Sequence, residues 1–183
     1  MELTIINCVR LPEAIWDSIL IRYPGVQVLN PSGEEDYTPY LRQADVIFGN
    51  CPQRLLSGLT RLKWIQIVSS GIDEYSSLAG ANVAVTTAKG AHWQPIAEYL
   101  VFSMLYFVRN HREFLYRKQQ KEWYRKPDEI SLLSGQHVGI IGYGGIAKTL
   151  IRHLEPFGVQ VSCVTRTPPV FPPSGVRIAG MKG

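Results

Sequence analysis

The run VGIIGYGGIAK, at residues 138–148, narrows the folds open to this chain more than any other part of its sequence. A short apolar stretch breaks there into glycines and continues as a helix-like pattern, which is typical of the first βαβ unit of a dinucleotide-binding domain. We expect the second strand of that unit in VQVSCVT, at residues 159–165. Because the run lies near the end of a 183-residue chain, we expect one βαβ unit of that domain at most.

The first half of the chain alternates short apolar runs with helix-like stretches. Its apolar runs are LTIINCV, VQVL, DVIFGN, LKWIQIVSSG and VAVTT, and their few polar alternations are typical of parallel strands covered on both faces. We therefore predict an α/β fold, with a flavodoxin-like parallel-sheet domain followed by the first βαβ unit of an incomplete Rossmann domain.

A long helical pattern separates the two predicted sheets. It begins at Pro95 and runs to about Gln120, and its first half is apolar whereas its second half is basic and aromatic. We expect the apolar half to be buried between layers and the charged half to face water or a partner. The predicted domains are residues 1–94, an interdomain helix and linker at residues 95–127, and a partial Rossmann domain at residues 128–183.

The composition excludes several classes of protein. Hydrophobic residues make up 45% of the chain, which is ordinary for a globular protein. The most apolar stretch, residues 96–108, is too short to cross a bilayer, and the amino terminus lacks the pattern of a secretory signal. The three cysteines lie far apart without a C-x-x-C pair. We expect a cytoplasmic protein with no metal site, no disulfide framework and no membrane partner.

The positive net charge of +4 is concentrated in one segment. Residues 105–126 hold seven Lys and Arg against two Glu, with Tyr116, Trp123 and Tyr124 among them. A basic helix with stacking aromatic residues is one pattern of a nucleic-acid site. Solvated side chains at one end of a helix explain the charge more simply, and we expect no nucleic-acid partner.

The residues of the glycine loop have separate expected roles in binding a cofactor. Gly142 allows the tight turn after the strand, Gly144 lets the backbone approach a diphosphate, and Ala147 stands where a small residue lets the helix pack closely. The N–H groups of Gly145 and Ile146 would face the phosphates from a helix N-terminus, where the helix dipole favours negative charge.

The same residues are also a near match to a nucleoside triphosphate loop. Residues 142–149 follow the pattern G-x-x-x-x-A-K-T, but Ala147 stands where this loop needs a glycine. No apolar strand ends in an aspartate that could hold magnesium, because Asp45 begins its run. The pattern therefore favours a dinucleotide.

The residues after the second predicted strand indicate which dinucleotide. An acidic residue there would accept a hydrogen bond from the ribose of NAD, whereas an arginine pairs with the 2′-phosphate of NADP. The chain has Arg166 and Thr167 at this place and no acid, so we predict that NADP(H) is preferred over NAD(H). The alternative is that Arg166 merely caps a loop.

Three segments together resemble the D-isomer-specific 2-hydroxyacid dehydrogenases, a family that includes glyoxylate/hydroxypyruvate reductases and phosphoglycerate dehydrogenase. The segments are LKWIQIVSSGIDEY, VAVTTAKGAHWQPIAEYLVFSMLYFVR and LLSGQHVGIIGYGGIAK, and they occur in the family's order. The resemblance covers nearly the whole chain. Thr87 and Ala147 depart from it, since relatives often have Asn and Gly at these positions.

The resemblance implies an NAD(P)-dependent oxidoreductase that reduces a small 2-oxo acid such as glyoxylate or hydroxypyruvate. It implies that backbone N–H groups at Ser70 and Gly71 hold the substrate carboxylate, that the loop at residues 50–52 lies near the substrate, and that the full-length form is a homodimer. Cys51 in that loop is expected to be a small buried residue rather than a nucleophile.

The family's catalytic arginine, glutamate and histidine have no matching positions among residues 1–183. The histidines present are His92, His111, His137 and His153, and none matches the family's catalytic histidine, although His92 lies nearest the inferred cleft. We therefore expect no catalytic residue in this chain and an inactive fragment. The alternative is a non-catalytic dinucleotide-binding or corepressor-like interaction module.

Overall fold

The structure is a computed structural model that describes residues 3–9, 11–31, 38–56, 59–78, 82–123 and 130–181. The chain divides into two compact units, a first unit at Met1–Lys89 and a second unit at Gly90–Gly183. Each unit carries its own parallel sheet. The expected domain boundary at residues 127 and 128 lies outside the described residues.

The first unit is an α/β layer built on a five-stranded parallel sheet. Its strands are β1 (Leu3–Asn7), β2 (Val26–Leu29), β3 (Val46–Phe48), β4 (Trp64–Gln66) and β5 (Ala84–Thr86), and its helices are α1 (Glu13–Arg22) and the single turn α2 (Thr38–Leu41). The order β2-β1-β3-β4-β5 is the flavodoxin-like order. The predicted α/β fold class is confirmed, and the five apolar runs of the sequence supply the five strands.

A buried carboxylate joins the amino-terminal ends of three neighbouring strands in the first unit. Asp45 accepts a hydrogen bond from the backbone N–H of Thr4 at 3.1 Å. It also pairs with Arg61 at 2.9 Å and Lys63 at 3.1 Å. These contacts, of which the Thr4 N–H is the largest cause, hold the pKa of Asp45 below its ordinary value although burial opposes them.

The long helical pattern of the sequence forms two helices, so the prediction of one continuous helix to Gln120 is wrong. Helix α3 covers Trp93–Val108 and helix α4 covers His111–Gln119. Between them Asn110 has a φ of 47°, a left-handed conformation that ends a helix and that asparagine tolerates better than most residues. The chain therefore turns at Asn110.

The apolar half of this pattern is buried on one face only, which corrects the expectation of burial between two layers. Ala97 is the one fully buried residue of α3. Leu100, Val101, Met104, Leu105 and Val108 pack against the core of the second unit. Phe102 and Phe107 lie on the opposite face, and Phe107 is 77% exposed. Within the described part of the second unit, no second layer covers that face.

The second unit has a three-stranded parallel sheet, one strand more than predicted. The elements are β6 (His137–Ile141), α5 (Gly145–Leu154), β7 (Gln160–Thr165) and β8 (Val176–Gly180), and the strand order is β6-β7-β8. The expected βαβ unit is present as β6-α5-β7, and the additional strand β8 lies along the edge of β7 that faces away from β6. The ladder from Val161–Val176 to Thr165–Gly180 pairs that edge.

The core of the second unit lies between α3, α5 and one face of this sheet. Leu150, Leu154, Val161 and Cys163 are buried there with Ala97. Within the described part of the second unit, no helix covers the other face, and Ile141 on it is 91% exposed. Within the described ranges, no helix has both the length and the apolar character needed to cross a membrane.

Candidate functional site

The turn after β6 is fixed by Gly142. Its φ is 102°, in a region of conformational space that side-chain-bearing residues rarely adopt. Its N–H donates to the carbonyl of Val164 on the neighbouring strand at 2.7 Å. The sequence expectation that Gly142 allows the tight turn therefore has a direct backbone reason.

Gly144 leads directly into α5. It is the N-cap residue, with extended backbone and no side-chain cap, and its carbonyl accepts a hydrogen bond from the N–H of Lys148 at 3.0 Å. A β-carbon at this position would meet no atom within 4 Å. No residue that the structure describes fills this space, so a ligand can approach the backbone there.

The first turn of α5 presents N–H groups that have no partner within the helix. This is a property of every helix N-terminus, and here it applies to Gly145 and Ile146, the first two residues of α5. The helix is ten residues long, and its dipole adds positive potential at this end. The arrangement suits an anionic group such as a diphosphate.

Gly145 has no room for a side chain, because the indole ring of Trp93 occupies the space. A β-carbon on Gly145 would overlap three atoms of that ring, Cε2, Cδ2 and Cζ2. Trp93 is the first residue of α3. This residue was not predicted from the sequence, because the contact joins two segments that lie far apart in the chain.

A cavity of about 510 Å³ lies beside the glycine loop, within the size range of small-molecule sites. Lys148 and Arg152 line it and make it electropositive, and the Nζ atom of Lys148 lies 5.3 Å from the ring centroid of Tyr143. A binding role for these two cations was likewise not predicted from the sequence. The other lining residues are Trp93, Tyr143, Gly144, Gly145, Thr149, Ile151 and Pro173.

Arg166 and Thr167 follow β7 directly and are exposed. Because β6 and β7 are parallel neighbours, Arg166 lies at the same sheet edge as the glycine loop. The side chain of Arg166 has no hydrogen bond or ion pair with any residue that the structure describes. The alternative of a loop-capping arginine therefore has no contact in that part of the chain to support it.

Ser70 and Gly71 lie in the loop after β4 in the first unit, and both are exposed. The Ser69 hydroxyl donates to the carbonyl of Gly71 at 3.3 Å. The Asn50 side-chain oxygen accepts from the N–H of Val68 at 3.1 Å, so it joins the loops that follow β3 and β4. Residue 50 was expected near the substrate, but this hydrogen bond to the neighbouring loop was not predicted from the sequence.

Cys51 lies in the same loop region and is buried, at 2% exposure. Its carbonyl accepts a hydrogen bond from the Tyr75 hydroxyl at 3.1 Å, and burial is the largest cause of a raised pKa of Tyr75. A reagent or substrate cannot reach the thiol without opening the fold, in agreement with the expectation that Cys51 is a buried small residue.

His111, His137 and His153 each make a structural contact. His137 is hydrogen-bonded to Ser162 at 2.8 Å, and His153 to the carbonyl of Thr149 at 2.9 Å. His111 stacks edge-on against Tyr106. None of the three forms an ion pair with a carboxylate of a described residue. His92 is the N-cap residue of α3.

No cluster that could hold a metal ion occurs among the described residues. The residues do fit a dinucleotide. Gly142 makes the turn, the position of a β-carbon on Gly144 is open, and cations line the neighbouring cavity.

Residues 101–180 match the family described as D-isomer specific 2-hydroxyacid dehydrogenase, NAD binding domain. That segment belongs to the D-isomer-specific 2-hydroxyacid dehydrogenase family. The resemblance seen in the sequence is thereby confirmed, and the expected cofactor class is a nicotinamide dinucleotide.

Two relatives illustrate the similarity of sequence. Glyoxylate/hydroxypyruvate reductase A of Yersinia enterocolitica is 29% identical over 126 residues, which are 64% of this chain and 39% of that protein. The D-specific alpha-keto acid dehydrogenase of Enterococcus faecium is 26% identical over 107 residues, which are 58% of this chain and 33% of that protein. The matched part of the chain thus spans two fifths or less of the length of these relatives.

Two solved structures illustrate the similarity of fold. A D-isomer specific 2-hydroxyacid dehydrogenase family protein from Aeromonas salmonicida has a TM-score of 0.80 at 20% identity, covering 99% of this chain and 59% of that one. A glyoxylate reductase from Paecilomyes thermophila has a TM-score of 0.80 at 19% identity, covering 98% and 60%. At these identities the likeness concerns the fold.

Proposed function

We propose that this chain carries the substrate layer and the diphosphate-binding loop of a 2-hydroxyacid dehydrogenase that reduces a small 2-oxo acid, such as glyoxylate or hydroxypyruvate. The observation that carries the proposal is the strand–turn–helix at Gly142, with an open approach to the backbone of Gly144. The relative from Yersinia, a glyoxylate/hydroxypyruvate reductase, supports the substrate class.

The N–H groups of Gly145 and Ile146 hold the diphosphate of the cofactor at the N-terminus of α5. They act in a fixed orientation, because the helix that carries them is packed into the core through Leu150 and Leu154. When bound, a reduced nicotinamide supplies a hydride to the carbonyl carbon of the 2-oxo acid.

The substrate carboxylate is held by the backbone N–H groups of Ser70 and Gly71. Both residues are exposed at the carboxyl end of a parallel strand, which is where ligands bind in open α/β sheets. The Ser69 and Asn50 hydrogen bonds fix the shape of this loop. Neutral N–H donors of this kind recognise a carboxylate.

The cofactor is NADP(H) in preference to NAD(H). Arg166 follows β7 at the sheet edge that carries the glycine loop, its guanidinium has no partner among the described residues, and no acidic residue stands beside it. We expect tighter binding of NADPH than of NADH when the 183-residue chain is titrated by calorimetry. Equal or tighter binding of NADH would contradict the preference.

Residues 1–183 alone have negligible turnover in this proposal. Proton transfer in catalysis requires a positioned acid, and His111, His137 and His153 are engaged in structural contacts. An assay of glyoxylate and hydroxypyruvate with NADPH, followed at the nicotinamide absorbance, tests this. Sustained turnover by the purified chain would contradict it.

A second candidate function is a non-catalytic dinucleotide-binding or corepressor-like module. Two observations favour it: His111, His137 and His153 are engaged in structural contacts, and the backbone of Gly144 remains open to a ligand. Saturable binding of NADPH that changes association with a protein partner, in the absence of turnover, would distinguish this function.

We further propose a homodimer in the full-length form and, from the scattered cysteines, a cytoplasmic location.

A further inference from the structure

Trp93 and Gly145 fit together at the point where α3 and α5 both begin. The six-membered part of the indole lies where a β-carbon of Gly145 would project. The two helices pack through the core of the second unit, so this contact belongs to their shared interface. Any side chain at residue 145 would have to displace the ring.

The indole also forms part of the wall of the cavity beside the glycine loop. Trp93 is 37% exposed, so the ring is neither a core residue nor a fully solvated one. Gly144, Gly145 and Lys148 line the same cavity. The ring therefore covers Gly145 from one side, whereas the β-carbon position of Gly144 remains open.

The first turn of α5 is held from inside the helix as well. The Thr149 hydroxyl is buried and donates to the carbonyl of Gly145 at 3.0 Å, and Arg152 donates to the same hydroxyl oxygen at 3.4 Å. Packing by Trp93 and these hydrogen bonds fix Gly145, the first residue of the turn. A donor group held in place before binding loses less conformational entropy when a ligand arrives.

We propose that Trp93 is a positioning residue for the diphosphate of the dinucleotide. It packs on Gly145, fixes the direction of the first N–H groups of α5 and shields them from water on one side, which strengthens their interaction with an anion. This inference rests on the proposed function, because it requires that a dinucleotide binds at the glycine loop.

The first test compares Trp93→Ala with Trp123→Ala in the 183-residue chain. Trp123 is a matched control, because it lies in the same unit and is 84% exposed. We expect Trp93→Ala to weaken the binding of NADPH and of NADH about tenfold each, since the diphosphate is common to both cofactors. Trp123→Ala should leave both Kd values unchanged, and Trp93→Phe should retain most of the affinity.

The second test adds a methyl group where the ring lies. We expect Gly145→Ala to weaken the binding of NADPH by about tenfold or more, because the added methyl group overpacks the contact and moves both the indole and the start of α5. The double variant Trp93→Ala, Gly145→Ala should bind NADPH better than Gly145→Ala alone, because the methyl group then has space. Such non-additivity is the signature of a direct contact.

A spectroscopic readout separates positioning from general destabilisation. The indole N–H resonance of Trp93, assigned from the spectrum of Trp93→Phe, should shift when NADPH or inorganic pyrophosphate is added. Thermal unfolding of each variant is measured alongside. Loss of affinity together with a melting temperature close to that of the unchanged chain supports positioning.

The outcomes separate the two proposals. If the unchanged chain binds neither NADPH nor NADH, the proposed function fails and this inference fails with it. If the unchanged chain binds both and Trp93→Ala binds them equally well, only the inference is overturned. An affinity loss that occurs solely because Trp93→Ala unfolds, with no shift of the Trp93 indole resonance on binding, also overturns it.

Discussion

The strands of the two sheets differ in how many of their faces are buried. In the first unit, consecutive residues of the central strands are buried, as in Ile6 with Asn7 and Val46 with Ile47. In the second unit, burial alternates along β7, where Val161 and Cys163 are buried and their neighbours are not. Side chains alternate between the two faces of a strand. The centre of the first sheet is therefore covered on both faces, and the second sheet on one.

This difference shows what a parallel-strand pattern does and does not predict. The runs DVIFGN and VGII are similarly apolar, yet Ile47 is fully buried and Ile141 is 91% exposed. Apolar composition predicts a strand, but the layers around the strand decide which of its residues are covered.

Ile47→Ala should lower the free energy of unfolding by about 2–5 kcal/mol, because it leaves a cavity in a fully packed core. Ile141→Ala is the matched change on the open face, and we expect an effect within about 0.5 kcal/mol. Urea unfolding followed by circular dichroism measures both. Equal losses in the two variants would show that Ile141 is covered in solution.

Asp45→Ala should lower the free energy of unfolding by about 1–3 kcal/mol, because the N–H of Thr4 is left buried without an acceptor. Arg61 and Lys63 are more than half exposed, so their loss of a partner adds little. Asp45→Asn serves as the comparison, since its side-chain oxygen can still accept from Thr4. Full stability of Asp45→Ala would contradict this role.

The stabilisation by Asp45 should depend on pH. Its pKa is lowered in the folded protein, so its contribution is fully present above the unfolded value of about 3.9 and is lost as the pH falls through the folded value. We expect the difference in stability between the unchanged chain and Asp45→Asn to shrink on acidification below about pH 4. A difference that grows there would give the opposite sign and exclude the interpretation.

Gly142→Ala should cost about 1–3 kcal/mol of stability, because an alanine is strained at a φ of 102°. Gly139→Ala in β6 is the control, since a β-carbon there meets no atom within 4 Å and the backbone is not left-handed. Thermal unfolding of the two variants compares them. A similar loss of stability in both variants would mean that replacing any glycine in this region is unfavourable, and that the left-handed conformation of Gly142 is not the cause.

Arg166→Ala should leave the free energy of unfolding unchanged. It should weaken the binding of NADPH about tenfold relative to the binding of NADH, because one charge-assisted interaction with the 2′-phosphate is lost. Arg177→Ala, on the neighbouring strand β8, is a control for the loss of a positive charge. Calorimetric titration with both cofactors measures the ratio. An equal loss for NADPH and NADH would assign Arg166 a role other than selectivity.

The sequence predicted those parts of the fold that depend on local pattern. Apolar runs identified β1 to β7, and the glycines identified the turn into α5. Strand β8 was missed because the segment just before it contains four prolines, at residues 168, 169, 172 and 173. Such a segment is typical of a loop, and the apolar run of β8 that follows is short. The break at Asn110 was missed because helix-like residues continue on both sides of it, and the propensity of a single asparagine only weakly predicts the end of a helix.

The site was predictable only where its residues are adjacent in the chain. Gly142 to Ile146 and Arg166 follow from spacing within one βαβ unit. The fit between Trp93 and Gly145 does not, because it depends on how two helices cross. The bridge from Asn50 to Val68 likewise depends on the register of neighbouring strands.

Each unit contains one deeply buried thiol, Cys51 in the first and Cys163 in the second. Burial raises the pKa of Cys163, so little reactive thiolate is present near neutral pH. A thiol-specific reagent can modify each residue only when its own unit opens. The labelling rate of Cys51 therefore reports how often the first unit opens, and the labelling rate of Cys163 reports the same for the second unit. Both rates can be measured on one chain without any substitution.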